Sequence, residues 1–384
     1  MTMAVTEPTL PRYGQACLDS LATSLLASLG VPGEPNPLDL PATERACLLL
    51  IDGLGWELLR AHPAAAPFLA ELAMTGAALT AGFPATTVTS LATIGTGRPP
   101  GQHGMLGYQV AIPGTGALLN GLRWDKGVDP LRWQPGSTIF DRAAAAGVRA
   151  LRVSPGQFRT SGLSLAAMRG AEYLSADSLG ALVSRAAAGL ADEPPLLAVV
   201  YYGDLDGTGH VLGCGSDAWS YQLAHVDKLA EQLAGALPAG TVLYVTADHG
   251  MTDVPAEFRV DADAMPELRH GVALLGGEPR ARHVYCRDGA SRDVLDAWTE
   301  VLGERFWVAE REQAVADGWF GPVAGQFARR IGDVLAAPRG PWAVVATKAE
   351  PKESALLGMH GSLTQSDQLV PLLSQVSGLG ACTR

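Results

Sequence analysis

No run of basic residues stands out in this 384-residue chain, and its 28 Lys and Arg are outnumbered by 39 Asp and Glu, a formal net charge of −11. Such a field repels nucleic acid and anionic membrane over most of the surface. An anionic substrate would therefore need a local source of positive charge, and a bound divalent cation, which dominates its surroundings, is the obvious one. Cysteine is scarce. Cys17, Cys47, Cys214, Cys286 and Cys382 are odd in number, widely spaced and without a CxxC pair, so they form no disulfide framework. No apolar stretch reaches the roughly 18 residues of a membrane span, and the opening MTMAVTEPTLPRYGQ lacks a basic segment followed by an apolar run. The expectation is a cytoplasmic protein with neither a membrane nor a nucleic-acid polymer as partner.

What the chain has is apolar material, 47% of its residues, enough to bury a large core in two domains or one elaborated domain. Apolar runs alternate with helix-like segments from about residue 46 to 250, the pattern of a mostly parallel sheet covered by helices on both faces. Three runs end in acids: ACLLLID at Asp52, LLAVVYYGDLD at Asp204 and Asp206, and GTVLYVTADHG at Asp248 and His249. An Asp after a strand is commonly a turn former or helix cap. Three such clusters, one carrying His, point instead to groups gathered beyond the carboxyl ends of parallel strands, where open α/β sheets bind ligands.

Those residue types suit hard and borderline divalent cations, held by Asp oxygen and His nitrogen. Asp206 and His210 are four apart in DGTGH and can face one ion in a helical turn or in a loop. Asp248 and His249 are adjacent; on an extended strand they would point opposite ways, but leaving a strand end they can approach a two-metal centre from either side. Paired ions about 3.5–4 Å apart clamp the attacking and leaving oxygens of an in-line displacement, which suits phosphoryl transfer.

Residues 81–97, AGFPATTVTSLATIGTG, hold six hydroxyls within eleven positions and no charge. A threonine hydroxyl becomes a nucleophile when a metal lowers its pKa. VTSLATIGT can begin a helix, and a hydroxyl at that start would sit beside free amides and the positive end of the dipole. Thr89, Ser90, Thr93 and Thr96 read as packing residues. Spacing does not choose between Thr86 and Thr87.

Residues 219–237 place Leu223, Val226, Leu229 or Ala230, Leu233 and Leu237 on one helical face, a core-facing stripe, with His225 structural or at the surface. From about 256 the texture becomes strand, helix, strand, helix through RARHVYCRDG, SRDVLDAWTEVLG, RFWVAER and REQAVADGWFG. This predicts an inserted α/β cap over 256–345, with 1–255 and 346–384 forming the main domain and His360 returning to the first sheet.

The motifs LLLIDGLG, FPATTVTSLATIGTGRPPGQHGMLGY, DLDGTGHVLG, VTADHGM and MHGSLTQSDQLVPLL, in that order over most of the chain, resemble the alkaline phosphatase superfamily and within it the nucleotide pyrophosphatase/phosphodiesterase group. The resemblance implies an alkaline phosphatase-like fold and two zinc ions, with manganese or iron as alternatives. One ion would be held by Asp52, Asp248, His249 and the nucleophile, the other by Asp206, His210 and His360. The family's nucleophile lies three residues after the motif proline and ten before its glycine, which from Pro84 and Gly97 designates Thr87. His103 matches a position that is usually structural.

One departure stands out. The group usually carries an Asn about five residues after the HG histidine, donating to a phosphate oxygen, and Tyr108 stands there; its phenol can also donate, and it is taken as substrate-binding. The resemblance implies hydrolysis of a small nucleotide-like phosphodiester or pyrophosphate through a phospho-threonine. The alternatives are a phosphomonoesterase or phosphonate hydrolase, and an inactive metal-binding protein. No Lys or Arg lies between Arg60 and Arg98, which favours a diester over a monoester unless Arg98, Arg123, Lys126 or Arg142 folds in. Sequence leaves the oligomeric state open.

Overall fold

The computed structural model describes residues 7–378; residues 1–6 and 379–384, Cys382 among them, lie outside the described residues. Its centre is a seven-stranded sheet in the order Ala77–Thr80, Leu369–Val376, Val242–Thr246, Arg45–Ile51, Leu196–Tyr202, Arg149–Ser154, Glu172–Ser175. The five strands from Val242–Thr246 to Glu172–Ser175 run parallel. Leu369–Val376 runs antiparallel to both of its neighbours. The inner strands are buried on both faces, which is why Ala46–Ile51 and Leu196–Val200 are continuous apolar runs and not alternating ones. Fold class is as the sequence predicts, a mostly parallel sheet flanked by helices.

Helix Asp217–Ala236 buries Leu223, Val226, Leu229, Ala230 and Leu233 as expected, while His225 is exposed. Ser216 starts it by accepting a hydrogen bond from the Trp219 amide. Between the main strands and the returning Leu369–Val376, the chain builds a four-stranded antiparallel sheet in the order Val272–Glu278, Ala281–Cys286, Val334–Pro338, Phe306–Glu310. Helix Ser291–Leu302 covers it, and Val284, Trp298, Leu302, Phe306 and Val334 form a core of their own. Arg280 of this insertion is fully buried and pairs with buried Asp367 of the returning segment through Nε–Oδ1 and Nη2–Oδ2 contacts of 2.9 and 2.6 Å. A charge pair with that bidentate geometry pins the second sheet to the first. Among the described residues no helix is long and apolar enough to cross a membrane.

Candidate active site

Strand Arg45–Ile51 lies between Leu196–Tyr202 and Val242–Thr246, so three parallel strands deliver Asp52, the Asp204–Leu212 helix and Asp248–His249 to one rim. The glycines there permit the approach. Gly53 adopts φ +76°, and a Cβ on it would lie 3.0 Å from the Asp206 Cβ. A Cβ on Gly250 would lie 2.0 Å from the Ser366 carbonyl oxygen. The motif glycines are thus contact points between chain segments.

Two groups of side chains result. Asp52, Asp248 and His249 have ligand atoms within 4.8 Å of one another, and so do Asp206, His210 and His360. In the first group, His249 Nε2 lies 3.3 Å from Asp52 Oδ1 and 3.5 Å from Asp248 Oδ2. In the second, His210 Nε2 is 3.2 Å and His360 Nε2 4.0 Å from Asp206. The gathering of Asp248 and His249 with Asp52 is the grouping the family resemblance implied; the approach from either side that spacing alone allowed is not seen. The regular strand ends at Thr246, and the chain beyond it turns both side chains into the same group.

Each histidine is held the same way. The Nδ1 atoms of His210, His249 and His360 lie 2.7, 2.9 and 2.9 Å from the carbonyl oxygens of Gly358, Gly250 and Ala85. A carbonyl only accepts, so each Nδ1 carries a proton and each Nε2 is turned to the carboxylates. This is the arrangement that orients a metal-binding imidazole. Asp206 Oδ1 and Asp248 Oδ2 are buried without a hydrogen-bond partner among the described residues. Orphaned carboxylate oxygens facing imidazole nitrogens fit a pair of divalent cations. Three carboxylates against two dications would leave the site net positive, which supplies the attraction for an anion that the surface denies.

The electrostatics agree. Burial, then the charge of Asp52, pushes the Asp248 carboxyl well above its ordinary range. Burial works against a charged His249, but Asp248 and Asp52 outweigh it and raise the imidazole. Burial would raise Asp206, yet His210 beside it holds it low; His210 in turn is raised to about 9, Asp206 prevailing over burial. Burial, reinforced by His249, drives His360 well down.

Thr87 is the first residue of helix Thr87–Thr96, with Thr86 as its N-cap. Its Oγ1 lies 3.3 Å from His249 Nε2 and 3.5 Å from Asp52 Oδ1, whereas Thr86 is buried. The first helical hydrogen bond runs from the Ser90 amide to the Thr86 carbonyl, so the amides of Thr87, Val88 and Thr89 precede it. Thr89, Ser90, Thr93 and Thr96 are buried. His103 accepts the Met105 amide at Nδ1 and meets Thr93 Oγ1 at 3.0 Å, away from both groups.

Thr87 and Asp206 stand in the walls of two cavities, each of about 300 Å³. One holds Tyr108, Arg123, Glu278, Lys352 and His360; the other holds Asp52, Phe158, Tyr201 and Arg152. The Tyr108 hydroxyl donates to Glu353 Oε1 at 3.1 Å. Of the cations named from sequence, Arg123 folds in, while Arg142 is spent on Glu34 and the Thr96 carbonyl. Sequence reasoning missed Tyr201, whose hydroxyl donates to Asp52 Oδ2, and Glu278, whose Oε2 lies 3.6 Å from His360 Nδ1 and whose carboxyl burial pushes up to about 8. It also missed Arg152 and Lys352. Tyr201 lay near the end of the expected strand LLAVVYYGDLD, whereas Arg152, fourth in strand Arg149–Ser154, carried no such signal.

The sequence profile of the type I phosphodiesterase / nucleotide pyrophosphatase family matches residues 46–363. Human ectonucleotide pyrophosphatase/phosphodiesterase family member 5 is 26% identical over 174 residues, 44% of this chain; the match spans 34% of that relative's length. The mouse counterpart, solved as an inactive threonine-to-alanine variant in complex with AMP, superimposes with a TM-score of 0.68 at 18% identity, covering 86% of this chain and 88% of that one. Phosphonoacetate hydrolase of Sinorhizobium meliloti 1021, in complex with phosphonoformate, superimposes with a TM-score of 0.63 at 20% identity, covering 88% and 91%.

Proposed function

The chain belongs to the type I phosphodiesterase / nucleotide pyrophosphatase family, and from that premise we propose that it is a two-metal hydrolase of small phosphodiesters or pyrophosphates with Thr87 as nucleophile. The observation that carries the reading is Thr87 itself: its hydroxyl stands at a helix start, against the Asp52/His249 group, and between two cavities. Two cavities meeting at one nucleophile leave room for a substituent on each side of phosphorus. The shortage of basic residues near Thr87 in the sequence is not the argument, because Arg123, Lys352 and Arg152 reach the site from elsewhere.

Zinc, or manganese or iron in its place, would be held by Asp52, Asp248 and His249 with Thr87, and by Asp206, His210 and His360; when bound, such cations lower the threonine pKa and neutralise phosphate charge. Thr87 Oγ, its proton released to solvent, attacks phosphorus, forming a P–O bond as the bond to the leaving-group oxygen breaks and that oxygen departs with the electron pair. The amides of the first helical turn face the phosphoryl oxygens. Tyr201 holds Asp52 through its hydroxyl. Water then cleaves the threonyl ester and restores the hydroxyl. Tyr108 donates to a phosphate oxygen on giving up Glu353, a longer reach than an Asn would make. The insertion, with its limits at 256 and 345, acts as a cap that contributes Glu278 to the cavity wall.

A phosphomonoesterase or phosphonate hydrolase is the second reading, favoured by Arg123 and Lys352 in one cavity. The test is turnover of bis-p-nitrophenyl phosphate against p-nitrophenyl phosphate by zinc-loaded protein, with mass spectrometry of a quenched reaction. A faster diester and a phosphoryl adduct on Thr87 are expected. Turnover surviving in Thr87→Ala removes the nucleophile assignment, and a faster monoester moves the substrate to the second class.

A further inference from the structure

We propose that Arg152 receives a second anionic group on the substrate, so that the preferred phosphoesters carry a carboxylate or a further phosphoryl group on the substituent entering the Arg152 cavity. This rests on the hydrolase reading above.

Among the described residues four arginines are buried, Arg152, Arg280, Arg282 and Arg330. Arg280 pairs with Asp367, and Arg282 lies 2.7 Å from Glu350 and donates to the Val344 carbonyl. Arg330 donates to the carbonyls of Gly104 and Trp133. Arg152 is 5% exposed, yet its guanidinium makes no hydrogen bond and no ion pair among the described residues, and its Nε is buried without a partner. The guanidinium lies over the Tyr173 ring, 5.4 Å from its centroid.

A buried charge left uncompensated is costly, and natural proteins keep one where a ligand completes it. The cavity that Arg152 lines shows where the ligand comes from. Thr87 and Asp52 stand in the same wall, so a molecule held at Thr87 brings its substituent to the guanidinium. Phe158, Leu91 and Leu163 make the wall apolar, which strengthens a charge-assisted contact. Of the three acids in that wall, Asp52 and Asp206 belong to the ligand groups and Asp204 is exposed; none forms an ion pair with Arg152 among the described residues, and the Tyr201 hydroxyl is committed to Asp52. The planar fork of arginine matches a carboxylate or phosphoryl group with two parallel hydrogen bonds. A neutral substituent would leave the charge as it is.

The experiment uses p-nitrophenyl phosphate diesters whose second group is propyl, 2-carboxyethyl, 2-phosphonooxyethyl or thymidine-5′-yl. Calorimetry on zinc-loaded Thr87→Ala protein measures binding without turnover. The carboxyethyl or phosphonooxyethyl ester binds at least tenfold more tightly than the propyl ester, and whichever does so identifies the anion. Adding Arg152→Leu removes the preference, Arg152→Lys keeps part of it, and the ligand-free melting midpoint of Arg152→Leu stays level or rises because an unpaired buried charge is gone. Equal affinities, no binding of either charged ester, a preference surviving Arg152→Leu, tightest binding of the thymidine ester, or a lowered midpoint that makes Arg152 structural overturns the assignment. The hydrolase reading is scored separately, by wild-type turnover of the propyl ester: its absence sinks that reading while calorimetry still decides Arg152.

Discussion

The imidazole rings of His249 and His360 stack with centroids 3.7 Å apart at an interplanar angle of 20°. Each belongs to a different ligand group, so the two candidate metal positions share a wall. His360→Ala should therefore weaken both sites, taking a ligand from one and ring support from the other. Metal content is expected to fall to one ion or fewer per chain, and activity by more than about a hundredfold, beyond the loss typical of an outer-shell change. Elemental analysis with diesterase assay checks this; two retained ions would remove His360 from the ligand set.

Gly53→Ala tests the close packing of the strand ends. The position has φ +76°, and the new methyl would meet the Asp206 Cβ at 3.0 Å. The left-handed conformation alone costs a non-glycine residue about 1–2 kcal/mol. Urea denaturation of metal-free protein should show at least that loss, with weaker zinc binding as Asp206 is displaced. A variant with unchanged stability and zinc affinity would show that the glycine is incidental.

Arg280 and Asp367 are both fully buried and bonded to each other. Removing one partner leaves an uncompensated charge, so Asp367→Ala should cost roughly 3–5 kcal/mol. Arg280→Met with Asp367→Leu should recover part of that loss. Chemical denaturation of wild type, Arg280→Met, Asp367→Leu and the double variant gives the coupling; additive effects would mean that the pair does not tie the second sheet to the main one.

Two histidines outside the ligand groups set an acid limit on stability. Burial first, then arginine charge, lowers His103 and His283 to about 3. An unfolded histidine titrates near 6.5, so between about 6.5 and 3 the unfolded chain holds protons that the folded one refuses, and stability falls as pH is lowered. The slope is about 1.4 kcal/mol per pH unit for each residue. Denaturation of metal-free protein at pH 7, 6 and 5 should show it, and His283→Gln should lessen it. Glu278, raised to about 8, takes up a proton in the fold over the same range and opposes this slope, so the difference between wild type and His283→Gln carries the test; equal slopes in the two proteins would mean that the His283 ring protonates in the fold.

Much of this was legible in the sequence for a simple reason. Parallel strands buried on both faces must be written as apolar runs, and the acids that follow them, Asp52, Asp206 and Asp248, must emerge at one rim. A helix over VTSLATIGT and another over 219–237 were readable, the second from its apolar spacing; the structure starts them at Thr87 and Asp217. The two ligand groups came from the family resemblance and not from spacing; the contacts that hold them were not readable, because they depend on segments far apart in the chain. That Asp248 and His249 turn into one group depends on where the regular strand ends. That Nδ1 of His360 is held by Ala85, and that Arg123 and Lys352 reach the cavity, depends on loops brought together by packing. Nothing in the sequence singled out Arg152; only the fold, by burying it in the wall of a cavity that Thr87 also lines and giving it no carboxylate partner among the described residues, made its charge a statement about the substrate.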